Sequence, residues 1–268
     1  MARRRLEQGV AIVTGASSGI GRELALQLAA ANVSVVVNAR REDRLAEVVA
    51  TIQASGGRAI SVAGDIAVPR TRELLIEACV KQFGRLDFLL NNAGIGAMGP
   101  FAEASPERLL RIMAVNFFAP AELTRLAIPL LRQSDRAIIV NVGSVLGHRA
   151  VGLKSEYCAS KFALHGLSDA IRAELAVDKI DLLLVSPSTT DSEFFDSAIE
   201  NNTNVQWQSR RAATPQGVAK KTLAAMRRGS HEIILTPGGN ALVWIDRLAP
   251  TLANCLIEKN TPRSKKDS

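Results

Sequence analysis

Tyr157 and Lys161 stand four residues apart, in a segment whose apolar spacing predicts a helix over 155–178. On a helix that spacing puts both side chains on one face, about 5–6 Å apart at Cβ. A phenol ionises near a pKa of about 10, so alone it is a poor base at neutrality. A neighbouring ammonium favours the phenolate and draws it towards the range that suits general acid–base work. The same pair also arises by chance on ordinary helix surfaces, so its meaning depends on what the rest of the chain brings to it. Ser144 lies thirteen residues earlier, just past a predicted strand end, where a hydroxyl could hydrogen-bond a substrate oxygen as charge develops on it. Asn116 sits in an apolar helical stretch, Val115-Asn116-Phe117-Phe118, and a buried amide there needs a partner.

Near the start, Val10-Ala11-Ile12-Val13 is a β-branched run that reads as a buried strand. It leads into Thr14-Gly15-Ala16-Ser17-Ser18-Gly19-Ile20-Gly21 and then an apolar-periodic helix. A strand, a glycine-rich turn and a helix form the context of a dinucleotide phosphate site. Glycines let the backbone approach the pyrophosphate, and the helix N-terminus offers free N–H groups and partial positive charge. Gly15, Ser17, Ser18, Gly19, Ile20 and Gly21 are therefore candidate cofactor-binding residues. The second strand ends Asn38-Ala39-Arg40-Arg41, with no carboxylate where one would bind a ribose 2′-hydroxyl. Arg40 and Arg41 offer planar donors suited to a 2′-phosphate, which points to NADP(H). The bland alternative is that they decorate the next helix's N-terminus, where cations are disfavoured.

These residues need a frame to hold them. Strands are expected at 10–14, 33–38, 58–63, 86–91, 136–142, 180–186 and 231–236. Helices are expected at 19–31, 42–55, 70–83, 106–131, 155–178 and 215–228, with a variable segment over 188–213. Such alternation specifies an α/β fold: a doubly wound parallel sheet (Rossmann fold) in a single domain of about seven strands. Ligands in such sheets bind beyond the strand C-terminal ends. The glycine turn, Asp65, Asn91 to Gly94, Ser144 and Pro187 all fall there.

Thr14-Gly15-x-x-x-Gly19-Ile20-Gly21, Asn91-Asn92-Ala93-Gly94, Asn116, Ser144 and Tyr157-x-x-x-Lys161 occur in the order and spacing of the short-chain dehydrogenase/reductase family. The resemblance spans roughly residues 8–237. It implies an oxidoreductase that moves a hydride between nicotinamide and a small-molecule carbonyl or alcohol, with Tyr157 as general acid/base and no metal. Lys161 would also bind the nicotinamide ribose, and Asn116 would join a water-mediated proton relay to Lys161. The resemblance further implies that Asp65 and Ile66 contact adenine and that Asn92, Ala93 and Gly94 pass close to the adenosine side. Pro187 and Thr190 would flank the nicotinamide carboxamide, and Ser192 would hold a phosphate. Ser188 stands where relatives have glycine. For Asp65 the bland alternative is a cap for the following helix, and for Asn91 it is a purely structural role.

Two other readings compete. A cofactor-binding sensor or scaffold of the same fold would be expected to lose the tyrosine or lysine. An epimerase or dehydratase relative would be expected to carry a larger C-terminal substrate domain. His148, in the loop after Ser144, reads as a solvent-facing loop residue in preference to one lining the substrate entrance, and His165 reads as packing. Cys79, Cys158 and Cys255 read as buried or semi-buried free thiols.

The net charge of +7 is unevenly placed. Residues 1–202 balance 22 basic against 22 acidic side chains, while residues 203–268 carry 11 against 4. No aromatic-rich basic motif or zinc-ligand spacing suggests nucleic acid. No apolar stretch approaches a membrane span, and the basic start lacks an apolar signal region, so a cytoplasmic protein is expected. Residues 1–237 form the expected catalytic domain. Residues 238–268 form a basic amphipathic extension, either part of that domain or a tail associating with a membrane surface. In it Ala241, Trp244, Ile245, Leu248, Leu252, Cys255 and Leu256 recur at helical spacing, and Pro250 is expected to divide two short helices. By resemblance, helices 106–131 and 155–178 would form a homodimer surface, with a tetramer less certain.

Overall fold

The central β-branched runs become strands because both of their faces are covered. In the computed structural model, which describes residues 5–190 and 212–260 together with Phe194 and Ile199, seven strands form one parallel sheet. They are β1 (Val10–Thr14), β2 (Ser34–Ala39), β3 (Ala59–Ala63), β4 (Phe88–Asn91), β5 (Ile138–Val142), β6 (Asp181–Ser186) and β7 (Glu232–Ile234). Their order is β3-β2-β1-β4-β5-β6-β7, so the chain winds outwards from β1 to β3 and then returns to start the other half at β4. The strand order reverses between β1 and β4, which opens a crevice above their C-terminal ends.

The helices are α1 (Gly19–Ala30), α2 (Glu42–Ala54), α3 (Pro69–Phe83), α4 (Pro106–Met113), α5 (Ala119–Leu131), α6 (Ser155–Leu175), α7 (Pro215–Arg228), α8 (Pro237–Leu248) and α9 (Pro250–Asn260). Successive strand residues serve opposite cores. Ala11, Val13, Val35 and Val37 meet Leu24 and Leu28 of α1, Leu45 and Ile52 of α2 and Leu223 of α7. Val10, Ile12 and Val36 meet Leu75 of α3, Leu123 and Ala127 of α5 and Leu175 of α6. Burial of one such aliphatic side chain is worth roughly 1.5–3 kcal/mol, so the two cores hold the strand ends firmly enough to carry a site.

The structure departs from the sequence expectations in several places. The helix expected over 106–131 is interrupted by a π-helical turn, Ala114–Phe118, between α4 and α5. That wide turn carries Asn116 inward, and π-turns inside helices often mark functional sites. Ser105 caps α4 by accepting from the Arg108 amide at 3.1 Å. The helix expected to reach 178 ends at Leu175 and tightens into a 3₁₀ turn, Ala176–Asp178. The last strand is only Glu232–Ile234, because Thr236 and Pro237 already start α8. Pro250 is the first residue of α9, as its missing N–H requires. Most of the variable segment, including Ser192, lies outside the described residues. Among the described residues no helix is long and apolar enough to cross a membrane. Cys79 and Cys158 are buried, whereas Cys255 is exposed.

Candidate active site

A cleft of about 820 Å³ opens above the strand C-terminal ends. One end is built by the turn after β1. Gly15, Ser17, Ser18, Gly19, Ile20 and Gly21 all line it. Gly15 has φ +67, and a Cβ there would lie 2.8 Å from the Ala93 Cα. A Cβ on Gly21 would meet the Gly15 carbonyl at 2.3 Å and the Asn92 amide at 2.4 Å. The two turns are therefore locked together at distances only glycine permits. The Thr14 hydroxyl completes the junction, accepting from the backbone amides of Asn92 and Ala93, both at 3.0 Å. Asn92 returns its side-chain amide to the Thr14 carbonyl at 2.9 Å. The α1 N-terminus has no side-chain cap and no acidic residue in its first turn, so its N–H groups keep their capacity for an anion.

The end of β2 supplies positive charge. Arg41 donates to Ser18 Oγ at 2.9 Å and to Ser17 Oγ at 3.2 Å. Arg40 lines the cleft beside it, and both arginines are exposed. Asp65 and Ile66 follow β3 on the same wall. The Asp65 carboxylate accepts from the Ala67 amide at 3.0 Å and pairs with Arg111 of α4. Burial alone would raise Asp65, but Arg111, the Ala67 amide and the charge of Arg40 together hold it below the usual carboxylate range. Its bonds in this structure are those of a turn-forming and ion-pairing residue. Arg111 was not singled out in the sequence, where it reads as an ordinary basic residue of an amphipathic helix.

The other end of the cleft gathers Ser144, Tyr157 and Lys161, with Pro187 and Thr190 from beyond β6. Tyr157 and Lys161 share the buried face of α6, as their spacing requires. Ser144 begins a 3₁₀ turn, Val145–Gly147, and its hydroxyl accepts from the Leu146 amide at 3.1 Å. It also hydrogen-bonds with Tyr157. Lys161 Nζ donates to the Val142 carbonyl at 2.9 Å and lies 5.7 Å from the centre of the Tyr157 ring. The Tyr157 ring packs edge-on against Phe194, with centroids 5.7 Å apart.

The electrostatics differ from the expectation in one respect. Burial pushes the Tyr157 phenol up to about 12; the Ser144 hydrogen bond draws it down only in part, and the neighbouring Cys158 adds to the rise. Burial likewise pulls the Lys161 ammonium down to about 8. The expected lowering of the phenol by Lys161 is absent, because desolvation outweighs an ammonium at that distance, bonded to a carbonyl.

Asn116 is buried and does not line the cleft. Its Oδ1 accepts from the Ile95 amide at 2.9 Å, and its Nδ2 donates to the Ile95 carbonyl and to Ser160 Oγ, both at 3.0 Å. Ser160 in turn donates to the Tyr157 carbonyl at 2.7 Å, so Asn116 ties the turn after β4 to the helix of Tyr157. Asn91 takes the structural alternative, donating to Asn141 Oδ1 at 2.9 Å and Thr124 Oγ1 at 3.1 Å inside the protein. Ser188, in place of glycine, accepts from the Thr236 hydroxyl at 2.9 Å and so fastens this loop to the start of α8.

Lys154, unmarked in the sequence, also lines the cleft, and burial pulls it down to about 8. Arg108 and Glu156 form a buried ion pair joining α4 to α6, with Glu156 immediately before Tyr157. His148 is not solvent-facing: its side chain is only 4% exposed, against Glu232 and Ser186. The helical tail belongs to this neighbourhood as well. Leu242 lines the cleft, Asp246 pairs with Arg149 at 2.8 Å, and Val243 and Ala253 are buried.

Comparison with known proteins agrees with this arrangement. The short chain dehydrogenase family profile matches residues 9–203. An uncharacterized oxidoreductase of Bacillus subtilis, YxnA, is 30% identical over 263 residues, covering 96% of this chain and 73% of that protein. A dehydrogenase/reductase SDR family protein 7-like of Anopheles gambiae is 30% identical, covering 97% of this chain and 85% of its own. The crystal structure of a short chain dehydrogenase/reductase from Burkholderia phymatum in complex with NAD superimposes with a TM-score of 0.84 at 26% identity, over 97% of this chain and 99% of that one. With the glycine turn, the strand order and the Ser144, Tyr157 and Lys161 cluster already in place, this chain belongs to the short-chain dehydrogenase/reductase family, oxidoreductases that bind a nicotinamide cofactor.

Proposed function

We propose that the protein is an NADP(H)-dependent oxidoreductase acting on a carbonyl or alcohol, with Tyr157 as general acid/base. The observation that carries this reading is one cleft holding an uncapped helix N-terminus and two arginines at one end and Ser144, Tyr157 and Lys161 at the other. The cradle fits a dinucleotide, since Cβ atoms at Gly15 and Gly21 would fill the approach. Gly15 to Gly21 and the α1 N-terminus would hold the pyrophosphate, Arg40 and Arg41 a 2′-phosphate, Ile66 and Ala93 the adenosine side, and Lys161, Pro187 and Thr190 the nicotinamide side. When bound, the cofactor supplies or accepts the hydride.

The protein's own residues manage one proton and one oxygen. Tyr157, held protonated by burial, donates to the substrate oxygen during reduction. Ser144 hydrogen-bonds the same oxygen as negative charge grows on it. Lys161 holds a positive charge beside the phenol while its own pKa remains above the working pH. Asn116 fixes α6 through Ser160, and a water between Asn116 and Lys161 would complete a relay. Leu146, Val151, Phe194 and Leu242 give the substrate end an apolar wall, with Lys154 among them. This supports a substrate with an apolar body. The test is turnover of NADPH with a panel of apolar ketones and aldehydes, with and without a carboxylate. Tight NADPH binding with no turnover of any carbonyl or alcohol would favour the sensor reading instead.

Cofactor choice rests on Arg40 and Arg41, since the end of β2 offers no carboxylate. Replacing both with alanine is expected to weaken NADPH far more than NADH. One charge-assisted phosphate contact is worth roughly 1.5–3 kcal/mol, about ten- to more than a hundredfold per arginine. The Burkholderia protein holds NAD, so the comparison of Kd values for the two cofactors is decisive. A wild-type preference for NADH would remove this assignment.

A homodimer through α5 and α6 is supported by Phe118, Leu126 and Phe162, large apolar side chains left exposed on that region. Light scattering that returned a monomer at micromolar concentration would remove it. A second surface supports weak attachment to an anionic membrane. Trp244, Leu248, Leu252 and Leu256 recur every four residues through α8 and α9, and all are exposed. Arg247 stacks on Trp244 at 5.6 Å and Lys259 lies further along; Arg263, Lys265 and Lys266 follow outside the described residues. Each basic residue near an anionic surface adds roughly 1 kcal/mol of attraction, and the apolar stripe adds burial. The chain is expected to co-sediment with phosphatidylserine-containing vesicles at low salt, and Trp244→Ser/Leu248→Ser to reduce this severalfold. Negligible binding by both would refute it.

A further inference from the structure

His148, His165 and Glu232 come from three separate segments and meet outside the cleft. His148 ends the 3₁₀ turn that Ser144 starts, His165 is one turn beyond Lys161 on α6, and Glu232 opens β7. Their candidate ligand atoms all lie within 4.8 Å of one another. His148 Nε2 is 2.9 Å from Glu232 Oε1, and His165 Nε2 is 3.8 Å from the same oxygen. The imidazoles cross edge-to-face with centroids 4.3 Å apart.

Ordinary pairing leaves this cluster incompletely satisfied. Glu232 Oε1 is buried with no well-aligned donor. His148 Nε2, 2.9 Å away, is shared with Ser186 Oγ at 3.2 Å, although against burial its proximity helps hold the Glu232 carboxyl below the usual range. His165 Nδ1 lies 3.3 Å from the Gly147 carbonyl, which can only accept. Nδ1 therefore donates to that carbonyl, which turns Nε2 towards Glu232 and Asp169. A histidine whose outer nitrogen donates to a backbone carbonyl is fixed in the tautomer a metal requires. Tetrahedral ligands at about 2.0–2.1 Å from a zinc ion stand roughly 3.3 Å from each other, between the 2.9 Å and 3.8 Å that separate Glu232 Oε1 from the two imidazoles.

We propose that His148, His165 and Glu232 bind one divalent transition-metal ion of the zinc type. Two imidazoles and one carboxylate suit zinc and its neighbours, whereas magnesium and calcium prefer oxygen donors throughout. The fourth position falls to water or to Asp169, whose Oδ2 is 3.7 Å from His165 Nε2. His148, His165 and Asp169 line a shallow cleft of about 300 Å³, which gives an ion access. The nearby cations are already paired: Arg172 with Oδ1 of Asp169 at 2.7 Å, which leaves Oδ2 towards His165, and Arg149 with Asp246 at 2.8 Å. Arg247 is the other cation lining the cleft, and it stacks on Trp244. The ion would staple the Ser144 turn, α6 and β7 together from behind the reacting groups, stabilising the site without touching substrate.

The test uses the untagged full chain carrying Cys255→Ser, so that the exposed thiol takes no part. After chelator treatment and dialysis, Zn²⁺ is titrated by calorimetry and Co²⁺ by its visible spectrum. One ion per chain is expected, with the intense absorption of a four-coordinate cobalt site. A rise in Tm of about 5–10 °C is expected at a hundredfold excess over Kd. His165→Gln and Glu232→Gln should each weaken Zn²⁺ by at least about a hundredfold, since even changes beyond the ligands cost 10–100-fold. His148→Ala should do the same, and if it fails to fold the two glutamine variants carry the test. Absence of stoichiometric Zn²⁺ binding, or affinity unchanged in both glutamine variants, overturns the proposal. The readout is metal content and unfolding, so it is independent of turnover.

Discussion

Tyr157→Phe is expected to lower turnover by at least about 10²-fold, the usual scale for losing a general acid, with nucleotide affinity nearly unchanged. Phenylalanine keeps the ring that packs on Phe194 and removes only the hydroxyl that Ser144 engages. The wild-type pH dependence follows from where the phenol sits. Burial pushes Tyr157 up to about 12, so on the proposed mechanism its phenol keeps the proton to be donated throughout the neutral range. Reduction should therefore show no loss from this group as pH rises to 8. Oxidation needs the phenolate, so its rate should climb with pH over the same range. Lys161, pulled down to about 8 by burial, loses its charge above that pH, which should weaken both the support for the phenolate and the hold on cofactor. Steady-state rates in both directions, with cofactor binding followed by fluorescence, check all of this. Near-normal turnover in the phenylalanine variant would end the assignment of Tyr157.

What could be read in advance, and what could not, has a physical pattern. Strands such as Val35-Val36-Val37 were legible because a sheet covered on both faces demands continuous apolar runs. The glycine turn was legible because φ near +67 at Gly15 and the approach at Gly21 exclude other residues. Tyr157 and Lys161 were legible because helical spacing is itself a contact rule. The contacts that were missed join side chains distant in the chain, where no spacing rule applies. Arg111 reaches Asp65 from 46 positions away, and Arg108 reaches Glu156 from 48. The π-turn at Ala114–Phe118 was hidden for a different reason: one extra residue per turn barely alters an apolar pattern already set by the flanking helices. His148 was misread because a loop position suggests exposure, yet the Ser144 turn folds it back onto β7. The phenol's displacement was misjudged because sequence shows the charged neighbour and hides the desolvation that outweighs it.

The second large effect belongs to one of those missed pairs. Arg108 donates from Nε at 2.9 Å and Nη2 at 2.6 Å to Glu156 Oε1, and the side chains are only 0% and 3% exposed. Desolvating two charges costs several kcal/mol per ion, so the pair itself need not add net stability. Removing one member is another matter, because the remaining charge is left buried without its partner. Arg108→Ala is expected to destabilise the fold by about 3–5 kcal/mol, and also empties the volume of one of the largest fully buried side chains among the described residues. The site should suffer before the fold does. Arg108 sits on α4, whose continuation is the π-turn of Asn116, and Glu156 immediately precedes Tyr157 on α6. The pair therefore sets the distance between the two segments that Asn116 and Ser160 also bridge. Denaturant unfolding gives the stability loss, and kcat at a temperature where the variant remains folded gives the positional effect. Arg108→Met with Glu156→Leu should recover most of the stability, since apolar replacement of both partners removes the stranded charge. It should recover less of kcat, because two flexible apolar side chains do not fix α4 against α6 as a forked ion pair does. A single Arg108→Ala variant as stable as the wild type would show that Glu156 finds another partner and that the pair does not position Tyr157.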